Sequence, residues 1–274
     1  MIDDFSSGLS LDALRSSHPI QVDVKSPSEI SQIFDAISYS KGASVIRMLN
    51  AFLGQETFMT GVRSYLKKFA YQNAMTSDLW TSLTEASQKD VESLMYSWTR
   101  HMGYPIVTIF SEEYDADKKE MTLHLKQSRF LSSGDLTEKE DSESPLWWIP
   151  LSVVTNLSPS SPSDHILKEK QSSITFPYEE SDKAYFKLNY GTTGFFRVKM
   201  SPERLTSLSK CIAENPDKFS TPDRIGIIMD AFSLGKAGYA GTVAALEVVK
   251  NYGFEENYVY VSLFLVEADC QGLE

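Results

Sequence analysis

The chain has 274 residues, of which 42% are hydrophobic and 12% aromatic, so it carries enough apolar material to fill substantial cores. Its formal net charge of −11 argues against nucleic-acid binding, because nucleic-acid binders usually present a basic surface. The longest apolar run, residues 258–266, is too short to cross a bilayer, and the first residues lack the pattern of a secretory signal. We therefore predict a cytoplasmic protein that binds neither nucleic acid nor membrane.

The segment from Ser26 to Met102 shows the spacing of amphipathic helices. Ser26, Pro27 and Glu29 form a capping-box pattern that predicts a helix start. Gly54 predicts a helix end, Thr76 a further start, and Gly103 the end of the helical region. Four apolar stripes are expected to face a core: Val45, Met48, Leu49 and Phe52; Phe58, Val62, Tyr65, Leu66 and Phe69; Leu79, Trp80 and Leu83; Val91, Leu94, Met95 and Trp98.

After Gly103 the apolar period shortens to two, which is typical of half-buried strands. Polar, Ser- and Pro-rich stretches at 132–144 and 158–164 predict exposed loops. Several short strands with such connectors favour a small β-sandwich. The predicted strands are centred on Ile106–Phe110, Met121–Leu125, Ile149–Val153 and Phe186–Tyr190.

Helical signals return at Ser201. Ser201-Pro202 and Thr221-Pro222 each pair an N-cap residue with proline at the first helical position. The second pair opens an apolar stripe of Ile225, Ile228, Met229 and Phe232. The chain therefore has an α+β pattern in which helices precede and follow the strands.

Several polar residues favour structural roles. The two cysteines, Cys211 and Cys270, are too few for a disulfide framework and are expected to be reduced, semi-buried thiols. His18 and His101 have no second His or carboxylate at metal-ligand spacing, so we predict structural roles for both and no metal ligand in this chain. For Arg197 and Arg224 we predict structural salt bridges.

The run IFDAISYSKGA at residues 33–43 resembles the stretch downstream of the zinc site in gluzincin metallo-aminopeptidases, most closely the puromycin-sensitive type. Further segments resemble the same family in the same order: 11–14, 16–20, 98–99, 103–105, 127–130, 148–150, 194–198, 223–224 and 230–234. The resemblance covers about residues 3 to 260 and is lost from Tyr260 onward.

This resemblance implies a multi-domain fold with three parts. Residues 1–102 would be the helical C-terminal part of a thermolysin-like catalytic domain. Residues 103–200 would be a β-sandwich domain. Residues 201–274 would be the start of an α-helical, superhelical C-terminal domain.

The resemblance also implies a function. Family members remove N-terminal amino acids from peptides, using zinc held by H-E-x-x-H and a more distant glutamate. Tyr39 would stabilise the transition state by donating a hydrogen bond to the oxyanion. Phe34 would form a wall of the pocket for the substrate's first side chain. Spacing alone favours a half-buried core role for Tyr39 and a packing role for Phe34.

Two of the family's motifs are absent from this sequence: H-E-x-x-H, and the G-x-M-E-N run that grips the free amine of the peptide substrate. We expect both upstream of Met1, with a truncated gene model or a frame change near Tyr260 as the cause. We therefore expect this chain alone to bind no zinc and to be inactive as a peptidase. Two alternatives stay open: a shortened, non-catalytic relative that acts as an interaction module, and an α+β scaffold with no inherited role.

Overall fold

The computed structural model describes residues 2–24, 26, 33–181 and 183–256. Most of the predicted helix start at Ser26–Glu29 lies outside the described residues, as does Cys270.

Five α-helices precede the sheets in the described part of the chain. They are α1 (Ile2–Asp12), α2 (Gly42–Leu53), α3 (Gln55–Lys68), α4 (Thr76–Ser87) and α5 (Val91–Arg100). The apolar stripes of α2, α4 and α5 face the core as predicted. On α3 the prediction for Leu66 was wrong, because its side chain is 62% exposed while the other stripe residues are half-buried. Helix α1 was not predicted.

Two sheets follow the helices. The strands are β1 (Pro105–Asp115), β2 (Glu120–Arg129), β3 (Ile149–Thr155), β4 (Ser158–Leu167), β5 (Gln171–Pro177), β6 (Phe186–Leu188) and β7 (Arg197–Lys199). One sheet has the order β5-β2-β1-β7, and the other has the order β4-β3-β6. Strand β1 runs antiparallel to β2 and parallel to β7.

The prediction of a loop at 158–164 was wrong, because these residues belong to strand β4. The strand lies at the edge of its sheet and pairs with β3, with Ile149 opposite Leu167. Pro159 and Pro162 are compatible with this position, since an edge strand leaves backbone groups outside the ladder. Only one of its ten side chains, Leu167, is buried, which explains why no alternation of apolar residues marked it.

The later helices are a short α6 (Glu138–Glu143) within the predicted 132–144 loop, then α7 (Pro202–Glu214), α8 (Thr221–Lys236) and α9 (Thr242–Lys250). Helix α7 begins as predicted, with Ser201 as N-cap. Helix α8 is capped one residue earlier than predicted, because the Ser220 side chain accepts the hydrogen bond from the Asp223 amide.

One continuous apolar core joins the helices to both sheets, with buried members from Phe5 to Tyr252. Trp98 of α5 connects two of its regions, since its ring N–H donates to the Trp148 carbonyl at 2.7 Å. The predicted salt bridges are confirmed: Arg197 pairs with Asp230 at 3.1 Å, and Arg224 pairs with Glu255. None of the helices in the described ranges has the length and apolarity needed to cross a membrane.

Candidate active site around Tyr39

Tyr39 lies on a single π-helical turn, Ile37–Lys41, that leads directly into α2. The turn is closed by the Lys41 amide, which donates to the Ala36 carbonyl at 2.9 Å. Such wide turns are rare and often occur at functional sites, because they place a side chain where a regular helix would not.

The Asp35 carboxylate caps this turn. One of its oxygens accepts hydrogen bonds from the amides of Ile37 at 2.9 Å and Ser38 at 3.1 Å. The first amides of a helical turn have no carbonyl partner within it, and the carboxylate supplies an acceptor for two of them. The turn is thereby fixed at its beginning.

His18 holds the other oxygen of Asp35. Its Nε2 atom lies 2.7 Å from Asp35, while Nδ1 faces the Pro19 carbonyl at 2.9 Å. Both ring nitrogens therefore face acceptors, which favours the doubly protonated imidazolium. Burial lowers the pKa of His18, but the bonds to Pro19 and Asp35 outweigh it and raise the pKa above its usual value. The predicted structural role of His18 is confirmed.

The side chains of Tyr39 and Phe34 lie together on the outside of the turn. Each is 62% exposed. Their ring centres are 6.1 Å apart, with planes inclined by 33°. Among the described residues, no group hydrogen-bonds to the Tyr39 hydroxyl. The half-buried core position that spacing favoured for Tyr39 is therefore wrong.

The inner face of the same turn is buried, in contrast to its outer face. Ile37, Ser40 and Lys41 are buried there. Gly8 of α1 lies so close that a methyl group in its place would be 3.0 Å from the Lys41 amide nitrogen and 3.2 Å from the Ser40 carbonyl carbon. The backbone of the turn therefore packs closely against α1, while the Phe34 and Tyr39 side chains are exposed on its outer face.

The structure offers no metal centre in this region. In ranges 2–24, 33–181 and 183–256, no group of three or more His, Cys, Asp or Glu side chains is arranged to hold a metal ion. Since zinc sites in proteins use such ligands, the described residues do not fit the zinc that the family resemblance implies.

Sequence reasoning did not assign the residues that fix the Tyr39 turn. Asp35 carried a weak signal, because an Asp just before a turn often accepts from the amides two and three residues on. Gly8 and Asp12 in α1 carried no such signal, since their contacts join segments that are distant in sequence.

Comparison with known families yields two matches. Residues 1–98 match the peptidase family M1 domain, and residues 185–268 match the ERAP1-like C-terminal domain. The second match starts within the predicted sandwich segment. It also extends past Tyr260, where the motif resemblance was expected to end.

The chain is similar to curated aminopeptidases over nearly all of its length. It is 41% identical to "Aminopeptidase 2" of Candida albicans over 257 residues, which is 94% of this chain and 26% of that protein. It is 40% identical to the "Puromycin-sensitive aminopeptidase" of Caenorhabditis elegans, covering 94% of this chain and 26% of that protein. It is 41% identical to the "Alanine/arginine aminopeptidase" of Saccharomyces cerevisiae, covering 94% of this chain and 28% of that protein.

The chain thus spans between 26% and 28% of the length of these three relatives. The order of its matching segments is the one expected from the motifs, with the M1 peptidase domain first and the ERAP1-like C-terminal domain last. The chain therefore belongs to the M1 family of gluzincin metallo-aminopeptidases.

Proposed function

We propose that this chain forms part of an aminopeptidase that removes N-terminal amino acids from peptides, and that Tyr39 is its transition-state donor. The main support for this proposal is the turn at Ile37–Lys41. Its inner face is buried and its first amides are capped, while the Tyr39 ring is exposed. Among the described residues, nothing hydrogen-bonds to the Tyr39 hydroxyl. The named relatives above are all aminopeptidases, which supports this interpretation over the interaction-module alternative.

The chemistry proposed for Tyr39 is hydrogen-bond donation. When the carbonyl carbon of a peptide bond becomes tetrahedral, its oxygen gains negative charge, and a donor fixed in advance stabilises that charge. A phenol hydroxyl is a neutral donor, and the capped turn would hold it without reorganisation. Phe34, beside it, is proposed to line the pocket for the first side chain of the substrate.

The M1 family is zinc-dependent, and zinc would polarise the reacting carbonyl. Because the described residues do not fit that ion and the sequence has no H-E-x-x-H, we propose that its ligands lie on polypeptide other than these 274 residues. For the same reason the purified chain alone is expected to hydrolyse no aminoacyl-arylamide. Chelator-sensitive hydrolysis by the chain alone would contradict this.

A chimera tests the role of Tyr39. The matching segment of the yeast alanine/arginine aminopeptidase is replaced by residues 2–256 of this chain, and hydrolysis of an aminoacyl-arylamide is measured. Tyr39→Phe should lower kcat by about 10² to 10³ while KM changes little, because the lost bond forms only in the transition state. Tyr71→Phe is the matched control, since Tyr71 is fully exposed and far along the chain from the turn.

Two outcomes of this experiment count against the proposal. One is a Tyr39→Phe chimera that hydrolyses the arylamide as fast as the unmodified chimera. The other is an unmodified chimera that folds, binds zinc and shows no hydrolysis.

Phe34 has its own test in the same chimera. Phe34→Ala should raise KM and change the ranking of arylamides with different first side chains, since it removes one wall of the proposed pocket. Phe110→Ala removes an aromatic ring of similar exposure, 55% against 62%, from strand β1 and serves as control. An unchanged ranking would leave Phe34 with no part in recognition.

The cytoplasmic location stays a prediction.

A further inference from the structure

The last residue of the Tyr39 turn carries a buried positive charge. Lys41 is fully buried, and its Nζ atom lies 2.8 Å from an oxygen of Asp12 at the end of α1. The same Nζ donates to the carbonyls of His101 at 3.2 Å and Gly103 at 3.1 Å. The Asp12 contact is an ion pair, and the two carbonyls each accept one proton of the ammonium group.

Asp12 completes the network from the other side. Its second oxygen accepts from the Gly103 amide at 2.8 Å and from the Ser17 hydroxyl at 2.6 Å. Gly103, with φ of +81°, lies in the short connection between α5 and β1. The Lys41–Asp12 pair thus ties three stretches of chain to one point: the end of α1, the Tyr39 turn and the helix-to-sheet connection.

Stability alone does not explain a buried pair of this kind. Burial lowers the pKa of Lys41, and the attraction of Asp12 offsets this only in part. Buried ion pairs are often matched or exceeded in stability by apolar residues of similar volume, because both charges lose their hydration. Whatever its net contribution to stability, such a pair fixes the geometry of the two segments that it joins.

The place of the pair in the turn shows which geometry it fixes. Lys41 is two residues after Tyr39, and its amide closes the π-helical turn onto Ala36. Gly8, one turn before Asp12 on α1, lies so close that a methyl group there would be 3.0 Å from the Lys41 amide nitrogen. A lateral shift of Lys41 would therefore move the Cα of Tyr39 with it.

We propose that Lys41 and Asp12 are positioning residues for the reaction: they lock the Tyr39 turn to the helix-to-sheet connection and so set where the Tyr39 hydroxyl lies. This rests on the proposed function of Tyr39. Neither residue touches substrate, since both are fully buried behind the turn. Their effect passes through the backbone from Lys41 to Tyr39.

The test uses a double variant that keeps the fold. Lys41→Met with Asp12→Asn removes both charges together, so neither is left buried and unpaired. The asparagine side chain retains an oxygen to accept from Gly103 and Ser17, and the methionine side chain fills the volume of the lysine stem. Arg47→Met is the matched control: Arg47 is a cation of α2 that also donates to two carbonyls, those of Gly191 and Thr192, away from the turn.

The first measurement uses the 274-residue chain itself. 3-Fluorotyrosine is placed at position 39, and in a second sample at the exposed position 71, and the ¹⁹F signals are recorded. The double variant should shift or broaden the signal at position 39 and leave that at position 71 unchanged. Arg47→Met should change neither signal. An unaltered signal at position 39 in a folded double variant overturns the proposal.

The second measurement uses the chimera described above. The double variant should lower kcat by about 10-fold to 100-fold with KM within about twofold, because a displacement of a reacting group by about 1 Å has effects of this size. Combined with Tyr39→Phe, it should cause no further loss, since the two changes then remove one function. A further loss of the same size would show a general structural effect and overturn the proposal.

A milder variant covers the case in which the double variant does not fold. Ser17→Ala removes one hydrogen bond to Asp12 and leaves both charges in place, and it should shift the position-39 signal in the same direction by less. No shift would count against the proposal. Suppose that Tyr39→Phe has no effect on the chimera but the double variant shifts the ¹⁹F signal at position 39. The proposed function of Tyr39 is then wrong, while the proposal that Lys41 and Asp12 fix the position of Tyr39 is supported.

Discussion

The Nε2 atom of His18 lies 2.7 Å from Oδ2 of Asp35. The other carboxylate oxygen of Asp35 accepts hydrogen bonds from two backbone amides of the Tyr39 turn. The pair thus connects the segment after α1 to the start of the turn. Its strength depends on pH because both members titrate.

The stabilisation from this pair is expected to be greatest between about pH 4 and about pH 6.5. The pKa of His18 is raised in the folded state, so its contribution is complete below the unfolded value of 6.5 and is lost as the pH rises through the folded pKa. For Asp35, burial raises the pKa, but the bonds from His18 and the turn amides outweigh it and leave the pKa lowered. That contribution is present above the unfolded value of 3.8 and is lost as the pH falls through the folded pKa.

Urea unfolding of the wild-type chain and of His18→Gln checks this window. The difference in unfolding free energy should be about 0.5 to 1 kcal/mol near pH 5 and smaller near pH 8, since both side chains are partly exposed. His165→Gln is the control, because the contribution of His165 to stability should change with pH in the opposite direction to that of His18. Burial lowers the pKa of His165 and Asp164 offsets this only partly, so its stabilisation is lost as the pH falls. A larger His18 effect at pH 8 would contradict the assignment.

Asp223 is expected to be among the most sensitive polar positions. It is 1% exposed, pairs with Lys187 at 2.7 Å and accepts from the Gly191 amide at 2.7 Å. Asp223→Asn removes the direct ion-pair partner of the buried Lys187 charge and should lower the unfolding free energy by about 3 to 5 kcal/mol. Glu247→Gln, whose partner Lys250 is 3.8 Å away at the surface, should change it by less than about 0.5 kcal/mol. Equal effects in urea unfolding would refute the distinction.

Two helical glycines should respond to alanine in opposite directions. At Gly226 in α8 a methyl group would lie 2.3 Å from the Thr192 hydroxyl, which donates to the Pro222 carbonyl. Gly226→Ala should therefore lower the unfolding free energy by about 1 to 3 kcal/mol. Gly42 at the start of α2 has open space around the same position, and Gly42→Ala should raise it by about 0.5 to 1 kcal/mol. Thermal unfolding followed by circular dichroism measures both, and a stabilising Gly226→Ala would contradict the packing.

Cys211 should react slowly in the native chain. It is buried in α7, and burial raises the pKa of its thiol, so little thiolate is present near pH 7. In a Cys270→Ser chain, alkylation by iodoacetamide should be at least about 10²-fold slower in buffer than in denaturing urea. Equal rates would place this thiol at the surface.

The helices and the buried strands could be predicted because their apolar residues repeat. Val45, Met48 and Leu49 of α2, and Leu123 and Leu125 of β2, are buried as their spacing indicates. Strand β4 and helix α1 gave no such pattern. β4 is an edge strand with a single buried side chain, and α1 contains Gly8 and several serines whose local preferences do not favour a helix.

The candidate site could be located from the sequence only through the family resemblance at residues 33–43. Two ion pairs shape the site. His18 and Asp35 are 17 residues apart in sequence, and Asp12 and Lys41 are 29 residues apart. Only the fold brings these residues together, so local sequence patterns could not predict the pairs. The division at 102 and 200 stays a prediction.

The apolar cluster that runs from Phe5 to Tyr252 has a consequence for dissecting the gene. Because side chains from both ends and from each sheet share it, excising any one region would expose the neighbouring faces to water. Scanning calorimetry of the intact chain should then show one heat-absorption peak whose calorimetric and van't Hoff enthalpies agree.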